Sequence, residues 1–253
     1  MHSSMLPAGS RWKRPCVLSR VHMSDTYRFK SVDGTYCYPG TSVLRNKLGI
    51  TDGERLSNVE SSIATIQIVD LKLHPLSGSF DSNHLCAIHR RIFSSIYEWA
   101  GCFRTVDIAI VYPFCHHEYI GSSLHSLFTE LHREDCLRSI SNRDEMAGRL
   151  AYYMGELNVI HPFREGNGRT QRIFFEYLAN NVGWSLSFDG VTKEQMANAS
   201  QAAFFQEYGP LRSVILRSLE RRRHRPLAYN YLLRIPYSPL QKRRQTHSPD
   251  VIT

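Results

Sequence analysis

The segment that decides the fold reads His161-Pro162-Phe163-Arg164-Glu165-Gly166-Asn167-Gly168-Arg169-Thr170-Gln171-Arg172. Apolar residues recur at helical spacing on both sides of it, so we expect one helix to end at its start and another to begin near Gly168. Pro162 disfavours a helical conformation at the residue before it, and Gly166 and Gly168 permit a tight turn. The segment is therefore predicted to join two helices through a turn with exposed backbone amides.

This turn carries the residue types of an anion-binding site. Unpaired N–H groups and the helix dipole favour phosphate at a helix N-terminus, and Asn167 can add a side-chain donor. Arg169 and Arg172 share a helix face, so both can reach a polyphosphate. Glu165 would repel phosphate unless a cation lies between them, and Mg²⁺ often binds one or two carboxylates together with substrate phosphates.

A general base lies beside this predicted site. His161 ends the preceding helix, and an imidazole with its usual pKa near ~6.5 suits proton transfer at neutral pH. Phe163 is expected to point inward as an anchor. Each residue alone has an ordinary alternative, such as a helix-end histidine or a solvated glutamate. Together they favour a site for a metal-bound nucleotide beside a base that activates a hydroxyl group.

The rest of the sequence predicts a mainly α fold. Helical periodicity covers residues 56–71, 83–99, 119–137, 146–160, 168–181, 193–206 and 210–223. One segment instead alternates apolar and polar residues with a period of two, which predicts a short strand. This segment consists of Val106, Asp107, Ile108, Ala109 and Ile110.

Domain organisation and charge narrow the class of protein. We expect a loose N-terminal segment over residues 1–35, a helical domain over 36–223 and a basic, proline-containing tail over 224–253. Residues 210–253 hold ten basic and two acidic residues and so account for the whole net charge of +8. A neutral body with a basic tail argues against direct nucleic-acid binding. No apolar run is long enough to predict a membrane span.

The cysteines, the N-terminal segment and a pair of adjacent histidines give weaker indications of function. The six cysteines are scattered, which predicts neither a disulfide framework nor a thiolate zinc site and favours the cytoplasm. The N-terminus lacks the apolar core of a signal peptide, and translation could start at Met1, Met5 or Met23. We do not expect His116 and His117 to form a metal pair, because adjacent side chains diverge on a helix or a strand.

The chain resembles the Fic family. Its central segment matches every fixed position of the signature H-x-F-x-[DE]-G-N-G-R-x-x-R. Further landmarks are Tyr38-Pro39-Gly40, Leu44-Arg45-Asn46-Lys47-Leu48-Gly49, Ile96-Tyr97-Glu98-Trp99-Ala100-Gly101 and Pro113-Phe114-Cys115. The resemblance covers residues 36–220 and looks closest to short, stand-alone bacterial Fic proteins that are paired with a separate small antitoxin.

The resemblance implies a Fic-type helical domain with a small β-hairpin flap beside the active-site loop. It also implies a protein adenylyltransferase that moves AMP from ATP to a Tyr, Ser or Thr hydroxyl of a target protein. His161 would deprotonate that hydroxyl, Glu165 would hold Mg²⁺, and Phe163 would anchor the loop. The phosphates would contact Gly166, Asn167, Gly168, Arg169 and Arg172. Residues 106–110 would hold the target by strand addition, although a purely structural hairpin is the alternative.

The sequence lacks a recognisable inhibitory motif, which bears on how the enzyme would be inhibited. Many Fic proteins carry an inhibitory helix with [ST]-x-x-x-E-[GN], whose glutamate pairs with the second arginine of the signature. Three S-x-x-x-E matches occur here, but each lies in or directly beside a predicted helix of the body and none is followed by Gly or Asn. They are Ser94–Glu98, Ser126–Glu130 and Ser141–Glu145. We therefore expect a separate antitoxin to place a glutamate against Arg172.

The target is a family-level expectation. The resemblance implies a bacterial toxin that acts on type II topoisomerase subunits, those of DNA gyrase and topoisomerase IV. Three alternatives remain open: a secreted effector that modifies host GTPases, an inactive protein-binding scaffold, and a Fic enzyme that transfers a different phosphate-containing group.

Overall fold

The computed structural model describes residues 33–110 and 112–222, and the predicted mainly α fold is confirmed. The helices of this part are α1 Gly53–Leu73, α2 Ser82–Phe93, α3 Ile120–Arg133, α4 Arg143–Ile160, α5 Asn167–Asn181, α6 Lys193–Phe204 and α7 Gly209–Ser218. Two short strands, β1 Trp184–Leu186 and β2 Leu219–Arg221, pair antiparallel with Ser185 opposite Glu220.

Helix α4 lies at the centre of the fold. It packs against α3, α5, α6 and α7, and buried residues occur around most of its circumference, as expected for a core helix. Asn142 caps its first turn by accepting the N–H groups of Asp144 and Glu145. This central helix ends at Ile160, directly before the signature loop.

Two predicted elements differ from the structure. Residues 106–110 form no strand; a single bridge joins Ala109 to Pro113, and the Phe114 N–H donates to the Ile108 carbonyl at 3.1 Å. The segment folds back on itself as a loop, because proline has no N–H with which to extend a ladder. The predicted helix over 210–223 ends at Ser218, where Leu219 turns extended and begins β2.

Some observed boundaries of helices and segments differ from the predicted ones. Helix α2 ends at Phe93, and residues 94–101 form turns instead of continuing the predicted helix to 99. Asp33, which the sequence places in the loose segment, pairs with Arg164 of the signature loop at 3.0 Å. Residues 1–32, with the alternative starts, and the tail predicted over 224–253 lie outside the described residues. Within the described ranges, every helix is too short or too polar to cross a membrane.

Candidate active site

The signature loop joins α4 to α5 through two left-handed residues. His161 caps α4 with φ of 47°, and Gly166 precedes α5 with φ of 80°. A Cβ at Gly166 would lie 2.3 Å from Cε2 of Phe93, so only glycine fits both the backbone angle and the space. The predicted junction of two helices through a turn is present, with His161 at the C-cap of α4 and Gly166 directly before the first turn of α5.

His161 is held in the tautomer that a general base requires. Its Nδ1 lies 3.1 Å from the Asn158 carbonyl, which can only accept, so Nδ1 carries the proton and Nε2 keeps its lone pair. The ring of Phe114 stacks on the imidazole, with centroids 3.8 Å apart. Burial and, to a smaller extent, the nearby Arg104 charge lower the pKa of His161 to about 3. The hydrogen bond to the Asn158 carbonyl raises this pKa but does not compensate for burial. The ring is therefore neutral at physiological pH.

The first turn of α5 offers unpaired amides. The first backbone hydrogen bond of this helix joins the Thr170 N–H to the Gly166 carbonyl at 3.1 Å. The amides of Asn167, Gly168 and Arg169 therefore have no acceptor within the helix and can bind an anion. Gly168 is exposed, and a Cβ there would meet only the Arg172 guanidinium, at 3.9 Å.

The Asn167 side chain does not face this anion site. It is 3% exposed; its Oδ1 accepts the Phe163 N–H at 2.9 Å and its Nδ2 donates to the Phe163 carbonyl at 2.7 Å. The expectation of a side-chain donor to phosphate is therefore corrected, because both polar ends are used within the loop. Asn167 shapes the turn and offers its backbone N–H.

Two arginines open onto a cavity of about 270 Å³ beside α5. The wall of the cavity is predominantly basic. Its charged lining residues are four basic ones and two acidic ones, namely Lys72, Arg169, Arg172 and Lys193 against Glu176 and Asp189. Burial and the adjacent Arg169 charge lower the pKa of Arg172, and no acidic group among the described residues lies within ion-pair distance of it. The cavity can accept an anionic group such as the end of a polyphosphate.

Glu165 has the geometry of a cation ligand. Its side chain is 44% exposed, and Oε1 accepts the Gly166 N–H at 2.8 Å and approaches Arg169 at 3.3 Å. Oε2 makes no hydrogen bond to any residue in the described part of the chain. One free carboxylate oxygen beside a turn with unpaired amides fits Mg²⁺, which prefers a carboxylate plus substrate phosphates.

The sequence analysis missed a buried residue of α2 that supports the signature loop. His89 of α2 is fully buried and stacks on Phe163 with centroids 3.9 Å apart. Its Nδ1 accepts the Gly101 N–H at 2.8 Å, so its Nε2 donates to the Glu165 carbonyl, 3.0 Å away. Burial lowers the pKa of His89 to about 4. A polar residue on the apolar stripe of α2 was the available signal.

Arg104 is a second missed residue. Its guanidinium is buried and donates to the carbonyls of Ile160 and His161 at the end of α4, and to those of Val106 and Cys115. It thus caps the helix and ties it to the flap loop, which we define as residues 106–114. In the middle of this loop, the side chain of Ile110 is 80% exposed.

Comparisons with known proteins identify the family. Residues 79–179 match the Fic/DOC family. The chain is 37% identical to the "Probable protein adenylyltransferase Fic" of Salmonella typhimurium, over 79% of this chain and 98% of that relative. It is 39% identical to "Protein adenylyltransferase VbhT" of Bartonella schoenbuchensis over 76% of this chain, but spans only 40% of that relative's length. The chain belongs to the Fic/DOC family.

Solved structures agree with this assignment. The BepC effector protein of Bartonella tribocorum, with bound AMPPNP, shares 27% identity and a TM-score of 0.68, covering 74% of this chain and 97% of that one. A Fic domain of Bartonella quintana with bound ADP shares 29% identity and a TM-score of 0.69, covering 74% and 95%. The predicted enzyme class, protein adenylyltransferase, is confirmed by the named relatives.

Proposed function

We propose that this chain transfers AMP from ATP to a hydroxyl side chain of another protein. The observation that carries the proposal is the position of His161. Its Nε2 is free because Nδ1 is committed to Asn158, and His161 lies directly before the loop that exposes the amides of α5. A neutral base beside an anion site is the arrangement that hydroxyl attack on a nucleotide requires.

The proposed reaction uses each part once. His161 Nε2 takes the proton of the target hydroxyl as its oxygen bonds to the α-phosphorus of ATP. The bond from the α-phosphorus to the oxygen that bridges to the β-phosphate breaks, and pyrophosphate leaves with that oxygen. The α5 amides and Arg169 stabilise the negative charge on the phosphates, and Arg172 binds the end of the triphosphate in the basic cavity.

Mg²⁺ is the proposed cofactor, with Glu165 as its protein ligand. When bound, it would neutralise phosphate charge and orient the departing pyrophosphate. The chain's own contribution is to hold Glu165 in place. Its Oε1 is fixed by the Gly166 amide, and its backbone carbonyl is fixed by His89.

The identity of the transferred group is tested with two labels. The purified chain is incubated with Mg²⁺ and a bacterial lysate, and with either α-³²P-ATP or γ-³²P-ATP. AMP transfer predicts a labelled protein band from the α-label only. A band from the γ-label would show phosphate transfer instead and would refute the proposal.

We further propose that a separate small antitoxin inhibits the enzyme through Arg172. None of the three candidate glutamates reaches this arginine: Glu98 pairs with Lys47 at 3.4 Å, and Glu130 with Arg149 at 3.6 Å. Glu145 lies exposed in the first turn of α4. In bacteria, expression of the chain alone should slow growth, and co-expression of a small neighbouring open reading frame should relieve this. Normal growth at good expression would refute the toxin role.

The proposed targets are the subunits of the bacterial type II topoisomerases, DNA gyrase and topoisomerase IV. This proposal rests on the resemblance to short stand-alone Fic proteins. The Salmonella typhimurium relative is such a short protein, since the 205 aligned residues cover 98% of its length. Purified topoisomerase subunits should take up the α-label from ATP and lose supercoiling or decatenation activity. Label on small GTPases of a host lysate, with none on the topoisomerases, would instead favour the effector alternative.

A further inference from the structure

A cluster of metal-ligating side chains lies outside the proposed active site. Ligand atoms of Asp107, His116 and His117 all lie within 4.8 Å of one another. His116 Nε2 is 3.1 Å from Asp107 Oδ2, and His117 Nδ1 is 3.0 Å from Asp107 Oδ1. The two imidazole rings stack with centroids 4.6 Å apart.

The expectation that the adjacent histidines diverge is therefore wrong. It assumed a regular helix or strand, whereas His116 is extended, with φ of −58° and ψ of 135°, immediately before a single 3-10 turn over His117–Tyr119. This change of conformation between neighbouring residues brings both rings to the same side of the chain. They meet the carboxylate of Asp107, which lies before the tip of the flap loop.

The donor set and its spacing suit a transition-metal cation. Two imidazoles and one carboxylate are common ligands of Zn²⁺, at about 2.0–2.2 Å, which places tetrahedral ligand atoms roughly 3.3 Å apart. The two histidine–carboxylate separations of 3.0 and 3.1 Å, each to a different oxygen of Asp107, need to open slightly, and the three ligand atoms all lie within 4.8 Å of one another. The side chains are 31% to 43% exposed, which leaves a path for the ion and a position for water.

Neighbouring groups fix the orientation of the ligands. Asp107 Oδ1 accepts the His117 backbone N–H at 2.8 Å and lies 3.7 Å from the Arg104 guanidinium, so Oδ2 remains directed at His116. His116 Nδ1 has a carboxylate oxygen of Glu118 at 3.8 Å, and metal-bound histidines commonly have a carboxylate near their other ring nitrogen. The Arg104 charge opposes a cation, whereas the carboxylates of Asp107 and Glu118 attract it.

We propose that Asp107, His116 and His117 form a binding site for a divalent transition metal of the Zn²⁺ type at the base of the flap loop. Asp107 lies at one end of this loop, and the histidines follow the other end. A bound ion therefore links the two ends and holds Phe114, which stacks on the catalytic histidine. The site is separate from Glu165 and differs in chemistry, since imidazole ligands select against Mg²⁺.

The test is a titration of the metal-free chain with Co²⁺, whose visible absorption reports coordination, followed by displacement with Zn²⁺. We expect one equivalent to bind with the spectrum of a four- or five-coordinate nitrogen and oxygen site. The double variant His116→Gln/His117→Gln should bind at least tenfold more weakly, and so should Asp107→Asn, which preserves the side-chain shape. Near-ultraviolet circular dichroism verifies that each variant is folded.

A matched control is available on α1. His74 Nδ1 lies 3.0 Å from Asp70 Oδ1, a similar His–Asp pair for which the described residues provide no third ligand. His74→Gln should leave Co²⁺ binding unchanged, and Glu165→Gln should also retain it. Absence of binding to the wild type, or equal binding to the wild type and the double variant, overturns the proposal. Thiolate charge-transfer bands would also overturn it, because they would assign the ion to cysteine.

A second readout tests the link across the loop. Zn²⁺ should slow proteolytic cleavage within residues 108–115 at least fivefold in the wild type and leave the rate unchanged in the double variant. Metal binding without this protection would overturn the inference that the ion links the two ends of the loop.

Discussion

Glu60 of α1 accepts a hydrogen bond from Arg169 of the signature helix at 2.5 Å, across 109 positions of sequence. The carboxylate is almost buried, and its other oxygen accepts the Tyr97 hydroxyl. The first arginine of the signature is thus held by a buried acid, whereas the second has no such partner among the described residues. The two arginines are therefore expected to respond differently to substitution.

Glu60→Gln should raise the KM for ATP roughly tenfold with little change in kcat, because a hydrogen bond to a charged group contributes about 1.5–3 kcal/mol. The amide keeps the shape but loses the charge that orients Arg169. Steady-state kinetics measures the split, and the exposed Glu54→Gln on the same helix is the control. A lower thermal midpoint with an unchanged KM would show a structural role only.

Arg172→Ala should lower kcat/KM for ATP by roughly 10- to 100-fold, as expected for loss of a charge-assisted phosphate contact. Its guanidinium is available to the substrate because no described acid pairs with it. Arg217→Ala removes an exposed cation of α7 and should leave kcat/KM unchanged. Wild-type kinetics for Arg172→Ala would contradict a role in binding the triphosphate.

Gly166→Ala should lower the free energy of unfolding by roughly 2–4 kcal/mol, the sum of left-handed strain and overpacking against Phe93. Gly121 is the matched control, because it lies inside α3 and a Cβ added there would have no atom within 4 Å. Gly121→Ala should stabilise the chain by roughly 0.5–1 kcal/mol. Urea unfolding measures both, and equal effects would contradict the close approach at the loop.

The buried His89 predicts a loss of stability in acid. Its pKa falls from 6.5 to about 4 on folding, so the unfolded chain binds the proton first as the pH drops. Its contribution is therefore complete above pH 6.5 and is lost as the pH falls towards 4, at about 1.4 kcal/mol per pH unit.

Urea unfolding across this pH range measures the effect. His89→Gln should reduce the slope of unfolding free energy against pH by that amount, whereas the exposed His74→Gln should not. An unchanged slope in His89→Gln would show that His89 is already protonated, or solvated, in the folded chain.

The sequence predicted the parts of this molecule that depend on neighbouring residues. Pro162, Gly166 and Gly168 located the junction of α4 and α5, because proline and glycine restrict or free the backbone locally. The apolar periodicity of α4 identified the central helix. The motif placed the candidate base and both arginines within a short segment of chain.

Features that depend on distant residues were missed. Glu60 reaches the site from α1, Arg104 from the loop after α2, and β1 pairs with β2 across a whole helical pair. Alternation at residues 106–110 predicted a strand, but a strand also needs a partner ladder, which Pro113 cannot extend. The Asn167 side chain was assigned to phosphate because local spacing does not reveal that the Phe163 backbone occupies both of its polar ends.

The central claim is that His161 acts as the general base of AMP transfer. The most direct measurement compares transfer of α-³²P-AMP by the wild type, His161→Ala and the exposed His125→Ala, with ATP binding measured in parallel by calorimetry. We predict loss of transfer by at least 100-fold in His161→Ala with ATP binding retained, in line with the usual contribution of a general base, and wild-type transfer in His125→Ala. Transfer by His161→Ala at the wild-type rate would contradict the account.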